Sequence, residues 1–360
     1  MDLVRDTVRR FARVEVVPYL DEWERAGEVP RELHRKAAAV GLMDTDLLTG
    51  MTVSEELIRS GASSGLCAAL FTHGIAIPHI RAAGDARQIE RWVTPTLAGE
   101  KIGSLAVTEP DTGSDVARLG TRAVRQGDHF VVNGAKTFIT SGCRADFVTT
   151  AVRTGGDGYQ GVSLLVIEKG TPGFTVTRKL QKMGWLCSDT AELAFQDARV
   201  PVENLVGEEG TGFLQLMRNF QPERIGLAVS AYATAGRCLD LALDWARQRE
   251  TFGRKLAERQ VIRHKLAEMA RRADVAREYT LAVARRLAAG EEVTLQVSMA
   301  KNTAVKAAEF CAYQAVQIFG GAGYMRESEV ERHYRDARIL AIGGGTTEIM
   351  NEVIAARLGL

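Results

Sequence analysis

The sequence predicts an α+β chain built in three parts: helical, then β, then helical. Three observations carry this. Apolar residues recur every three or four positions up to about residue 101, and the period drops to two between 102 and 208. From 209 to 360 the helical spacing returns in longer runs. The reading is an N-terminal helical domain (1–101), a middle β-barrel or sandwich domain (102–208) and a C-terminal four-helix bundle (209–360). A chain of 360 residues has room for two or three such units.

In the first part Val4, Val8, Phe11, Val14 and Val17 form one stripe that runs into Pro18. Leu33, Ala37 and Val40 form another, stopped by Gly41, and Val53, Leu57 and Ile58 begin a third. Ala68 to Ile80 is apolar around His73, which reads as a core histidine rather than a catalytic one. In the middle part the candidate strands are Leu105–Thr108, Thr121–Val124, Phe130–Asn133, Phe147–Val152, Val162–Ile167, Phe174–Arg178 and Ala191–Phe195. Turn residues separate them at Gly127-Asp128, Asn133-Gly134, Gly155-Gly156 and Pro172-Gly173. Asn133-Gly134 is a hairpin corner on this reading. Glu203 to Gly212 reads as a linker. Beyond it come stripes at Ile225, Val229, Tyr232, Ala235 and Leu239; at Ile262, Leu266, Met269, Ala273 and Ala276; and at Val297, Ala300, Ala304 and Ala308. A last helix fits Thr346 to Leu358. Four long helices with small, apolar stripes imply an antiparallel bundle, with apolar face left over for another subunit.

Lys and Arg total 46 against 45 Asp and Glu, so no basic excess points to nucleic acid or an anionic membrane. Five cysteines without a C-x-x-C pair argue against a disulfide framework and a zinc cluster, and suit a reducing cytoplasm. The charged start Met1-Asp-Leu-Val-Arg5 is unlike a signal peptide, and no stretch has the length of apolar residues that spans a bilayer. The expectation is a soluble, cytoplasmic protein.

The chemistry-bearing stretch runs from Ser104 to Gly142. Pro110 fixes φ and Gly113 frees it, so Glu109-Pro-Asp-Thr-Gly113 can turn sharply and aim N–H groups and hydroxyls at one point. Phe138-Ile139-Thr140 sets an aromatic face beside a hydroxyl, a pairing that suits a flat ring with a polar edge. Gly320-Gly-Ala-Gly323 and Gly343-Gly-Gly345 have neither the dinucleotide nor the triphosphate-loop spacing.

Three further stretches make sense together. Val107-Thr-Glu-Pro-Asp-Thr-Gly-Ser-Asp115 resembles the first signature of the acyl-CoA dehydrogenase flavoprotein family. Phe138-Ile-Thr-Ser-Gly142 resembles its flavin strand, with Phe where Trp is common. Gln317-Ile-Phe-Gly-Gly-Ala-Gly-Tyr324, followed by Arg335-Asp-Ala-Arg338, resembles its second signature, and the helical–β–helical order is the family's architecture. Relatives usually insert a Gly-rich loop where Met43 to Met51 is short. The resemblance implies an FAD cofactor, an acyl-CoA substrate oxidised to a trans-2-enoyl thioester, and a homotetramer. It also implies an electron-transfer flavoprotein as acceptor. It implies that Phe138 and Thr140 lie against the flavin ring with Thr108 bonding its edge. Arg247-Gln-Arg-Glu-Thr-Phe-Gly-Arg254 looks like the segment that reaches the flavin pyrophosphate of a neighbouring subunit. By that match Arg249, Thr251 and Phe252, with Gln317 and Gly321, hold the dinucleotide half, and Thr346 and Glu348 touch its ADP part. Ser114, Ser188 and Arg224 fall where relatives meet the ligand or its coenzyme A portion.

Removing a weakly acidic proton next to a thioester carbonyl needs a base, and many relatives carry Glu just before the last Gly-Thr. Here that position is Gly344, which has no base to offer. Gln221-Pro-Glu-Arg-Ile225 is similar to the Glu-Arg pair of a branch like the long-chain and isovaleryl enzymes, so Glu223 is the implied base. Gly344 would leave room for its carboxylate. A free Glu titrates near ~4.3, below the useful range, so burial by substrate must raise it. Pro222 is expected to start or kink the helix, and a nearby helix N-terminus would act against that rise. The alternatives within the fold are an acyl-CoA oxidase, a flavin N-hydroxylase and a dehydrogenase of carrier-protein thioesters. Outside it, the alternative is a non-catalytic helical interaction protein in which Gly344 marks a dead site.

Overall fold

The structure, a computed structural model, describes residues 2–360. Its first hundred residues are helical. Asp2–Phe11 buries Val8 and Phe11 as the stripe predicts, but a π-helical turn at Ala12–Val16 then shifts the register. The extra residue buries Ala12 and Val16 instead, leaving Val14 and Val17 exposed. Arg31–Ala39 follows, then Leu47–Arg59, whose first turn is capped by the Asp46 carboxylate accepting from Thr49 N–H at 3.0 Å. The short segment before it is thus consumed by a helix cap. Ser64–Leu70, His73–Ala76 and Pro78–Ala83 complete this layer.

The β expectation is met by one curled seven-stranded sheet. Its strands are β1 (Gly103–Ala106), β2 (Arg122–Gln126), β3 (His129–Thr140), β4 (Phe147–Arg153), β5 (Val162–Glu168), β6 (Phe174–Lys179) and β7 (Thr190–Pro201). The order is β1-β4-β2-β3-β7-β6, with β5 antiparallel to β4. β4 and most of β5 are buried on both faces, which explains their unbroken Val, Leu, Ile and Ala runs. Asn133-Gly134 is not a hairpin corner. The β2–β3 turn is at Gly127-Asp128, and β3 runs straight through residues 133 and 134 at a bulge opposite β7. Gly is required there because its φ is +149° and a Cβ would lie 2.7 Å from the Thr121 Cα. The Asn-Gly pair carried a bulge signal that local sequence cannot tell from a turn.

The C-terminal part has three long helices, Gly212–Gln248, Gln260–Ala288 and Thr294–Phe319, with Glu329–Leu340 and Thr347–Arg357 as shorter partners. Four long helices are therefore not observed; the fourth place is shared by two short ones on either side of the Gly343–Gly345 turn. The predicted stripes form the bundle core, with Ile225, Val229, Ala300, Ala304 and Ala308 fully buried. That core is continuous with Val8, Phe11, Leu57 and Leu66 of the first part. The two helical parts share one apolar interior, whereas the sheet has its own.

Candidate active site

The central helix Gly212–Gln248 runs without interruption through Pro222. Glu223 is therefore mid-helix, not in a first turn, and lies far from the N-terminus of its own helix. Its partner across the bundle is the Gly343–Gly345 turn. Gly344 has φ +64°, and a Cβ built there would lie 3.6 Å from Glu223 Oε1. The same Cβ would lie 2.4 Å from Leu227 Cδ1, one helical turn beyond Glu223. The space vacated at residue 344 is thus occupied by Leu227 and edged by the Glu223 carboxylate. Sequence reasoning placed the acid correctly against this turn but missed the leucine.

Two cations complete the cluster. Arg224 is buried, and its Nε donates to the Gly344 carbonyl at 3.1 Å while its guanidinium lies 5.7 Å from the Phe220 ring centroid. Lys301, on Thr294–Phe319, is 0% exposed and its Nζ donates to the Gly345 carbonyl. Both turn carbonyls therefore point into the protein. Among the described residues the Gly344 and Gly345 N–H groups find no acceptor, so two donors remain available to a ligand. Burial pushes the Glu223 carboxyl up to about 7, against the opposing charges of Arg224 and Lys301. Desolvation wins over the salt-pair effect even before a ligand arrives. Lys301 carried no sequence motif; a lone Lys on the buried face of an Ala-rich helix was its one available signal.

A second group gathers at the end of the sheet. Thr137 N–H donates to the Thr108 carbonyl at 2.9 Å, and Ser104 Oγ donates to the Thr140 carbonyl at 2.6 Å, tying the turn after β1 to the end of β3. A register shift between Lys136 and Ile139 gives Phe138 a φ of 60° and leaves its ring 67% exposed. Strain of this kind in a non-glycine residue persists only where the surrounding structure imposes it, here the shifted pairing with β7. Beneath the turn, Lys136 Nζ and Glu109 Oε1 pair at 2.8 Å, fully enclosed. Ser188 is buried with its hydroxyl unpartnered, and Ser114 is exposed on the loop beyond Gly113. Of the substrate-facing set, then, Arg224 joins Glu223 and Gly344, while Ser114 and Ser188 belong to the sheet side.

The third group lies elsewhere. Arg249, Thr251 and Phe252 occupy a two-stranded hairpin after the central helix, where Arg259 Nη2 donates to Thr251 and stacks over Phe252 at 5.6 Å. Phe252 is 96% exposed. Trp245 stacks on Phe319 at 4.5 Å, which brings this hairpin to the bundle end that carries exposed Gln317 and Gly321. From Glu223 to Arg249 the helix advances 26 residues, roughly 39 Å along its axis. One chain therefore holds the two groups at opposite ends. Thr346 caps Thr347–Arg357 by accepting from Ile349 N–H at 3.2 Å, and Glu348 is exposed in that helix's first turn.

Family models for the acyl-CoA dehydrogenase N-terminal, middle and C-terminal domains match residues 1–100, 104–198 and 210–359. The chain belongs to the acyl-CoA dehydrogenase family. It is 37% identical to the rat (Rattus norvegicus) mitochondrial long-chain specific acyl-CoA dehydrogenase over 99% of this chain and 86% of that one. It is 38% identical to an acyl-CoA dehydrogenase of Bacillus subtilis, covering 99% and 97% of the two chains. A crystal structure of a probable acyl-CoA dehydrogenase from Mycobacterium abscessus superposes with a TM-score of 0.98 at 64% identity, covering 99% of this chain and 98% of that chain. The chain is thus an oxidoreductase of this family, and its three-part fold is the family's fold.

Proposed function

We propose that the protein is an FAD-dependent acyl-CoA dehydrogenase in which Glu223 removes the proton next to the thioester carbonyl. The observation that carries this reading is the Glu223 carboxyl against the Gly344 turn, raised by burial to about 7. At that value the group is half in its basic form at neutral pH and still strong enough to take a proton. The carboxylate lies beside the Gly344 turn, and the N–H groups of Gly344 and Gly345 are suited to receive the charge that develops on the thioester oxygen.

The sheet group fits a flavin. Phe138 offers an exposed ring face, Thr108 and Thr140 supply polar atoms at its edge, and the Ser188 hydroxyl is an unpartnered donor. Bound there, the flavin would accept hydride from the carbon beyond the one Glu223 deprotonates. The Arg249, Thr251, Phe252, Gln317 and Gly321 group suits the adenine-dinucleotide half, a guanidinium being a bidentate phosphate partner. Its distance from Glu223 within one chain supports service to a neighbouring subunit, and the family resemblance extends that shared site to a homotetramer. Thr346 and Glu348 are assigned to the ADP part, and Ser114 and Arg224 to the coenzyme A ligand. Cytoplasmic location and an electron-transfer flavoprotein as acceptor complete the proposal.

Anaerobic mixing of flavin-loaded protein with a panel of acyl-CoAs tests it. Bleaching identifies the substrate class, and Glu223→Gln keeps flavin while bleaching ~10²–10⁴-fold more slowly. Wild-type bleaching in that variant removes Glu223 from the mechanism. Oxygen consumption with substrate would favour an oxidase. Colourless protein that gains no flavin when supplied with it would favour the non-catalytic reading.

A further inference from the structure

Lys301 is costly where it stands. It lies on the same helix as Val297, Ala300 and Ala304, all fully buried, and it is itself fully buried. Its ammonium bonds a backbone carbonyl, and no described carboxylate lies within ion-pair distance of it. A buried charge without a contacting counter-ion is expensive and persists only when something compensates. Holding the Gly345 carbonyl does not by itself require a charge. The next residue, Asn302, holds a nearby carbonyl with a neutral amide, donating to the Thr347 carbonyl at 3.1 Å and to Asn351 Oδ1 at 2.9 Å. What a neutral amide lacks is a field. The charged groups acting on Glu223 are Arg224 from its own helix and Lys301 from the facing helix, and the third wall, Gly343–Gly345, carries no titratable side chain.

We propose that Lys301 is a positioning residue for the dehydrogenation. It clamps the Gly344–Gly345 turn in its left-handed conformation, and its charge shifts the Glu223 carboxyl toward the basic form. The clamp and the field act on one acid: Arg224 takes the first carbonyl, Lys301 the second, and the carboxylate sits beside both. Burial acts on Lys301 as well, pulling its ammonium down to about 8, so most of the charge is in place where Glu223 is half-titrated. This inference rests on Glu223 being the base, and the experiment separates the two.

Lys301→Gln keeps a donor for the Gly345 carbonyl and removes the charge; Lys301→Arg keeps both. In flavin-loaded protein, the pH dependence of bleaching at limiting acyl-CoA reports the free enzyme's base. The expected result for Lys301→Gln is a rising limb displaced upward by roughly one pH unit, the shift of a carboxylate that loses a nearby cation. Its rate at pH 7 then falls about fivefold and converges on wild type at high pH, with substrate affinity unchanged. Lys301→Arg restores the wild-type limb. An infrared titration gives a readout independent of turnover: the protonated-carboxyl band absent from Glu223→Gln disappears at higher pH in Lys301→Gln than in wild type. If Lys301→Gln does not fold, Lys301→Met removes the charge at similar length and is read the same way. A charge-free variant whose limb and band coincide with wild type overturns the proposal while leaving Glu223 as base. Wild-type bleaching by Glu223→Gln overturns the base and this inference together.

Discussion

Gly344 and Glu223 are neighbours across the bundle: the turn residue has no side chain, and the carboxyl beside it comes from the central helix. The fit is tight enough to predict from. Gly344→Ala must place a Cβ against Leu227 at positive φ, so we expect a loss of about 2–4 kcal/mol from overpacking and left-handed strain. Leu227→Ala in the same chain should return the overpacking part but not the strain, read from urea midpoints. The raised carboxyl has a thermodynamic consequence too. The folded protein holds the Glu223 proton more tightly than the unfolded chain, so stability contributed by this group falls as pH rises from 4.5 to about 7. Glu223→Gln cannot titrate. Its melting temperature relative to wild type should therefore climb across that window and level off above it.

At the scale of elements, the turn after β1 is held from below. Glu109 accepts from Gly120 and Thr121 N–H and pairs with Lys136, whose Nζ also donates to the Val107 carbonyl at 3.0 Å. The glutamate of the first signature is thus a buried strut that fixes Thr108 relative to Phe138. Lys136→Met leaves its carboxylate enclosed and should cost about 3–5 kcal/mol and weaken flavin retention. Adding Glu109→Gln to Lys136→Met should recover part of the loss. A double variant no more stable than Lys136→Met would refute the strut, and thermal melts with gel filtration read both effects.

The whole molecule is locked at Asp336. Its fully buried carboxylate accepts from Trp185 N–H at 2.6 Å and from Gly65 N–H at 3.3 Å, joining the last helices, the loop before β7 and the N-terminal layer. Trp185 Nε1 reaches back to Ser64 Oγ at 2.9 Å. Close approach is required here: a Cβ on Gly184 would lie 2.6 Å from the Arg335 carbonyl oxygen, and one on Gly65 2.7 Å from the Trp185 Cα. The Arg335-Asp-Ala-Arg338 run is therefore a junction among the three parts. Asp336→Ala strands two buried N–H groups at about 1–3 kcal/mol each. We expect a lower melting temperature and faster proteolysis between residues 180 and 190; cleavage unchanged there would count against the junction.

Much of this was legible in the chain. Periodicity gave the three parts and nearly every strand and stripe, because burial of an amphipathic face imposes a local repeat. The glycine at 344 and the Glu-Arg pair at 223 pointed to Glu223 only through their resemblance to patterns of the family, and the fold sets that carboxyl beside the Gly344 turn. Three things were decided only by tertiary packing. The π-turn after Phe11 and the bulge at Gly134 shift register by one residue, which no local preference records. The rise of Glu223 depends on which neighbours exclude water from it. Lys301 acquires its place beside the acid only when helices some eighty residues apart meet. Sequence fixes what each residue can do; the fold decides what surrounds it, and electrostatics inside a protein depends on the surroundings.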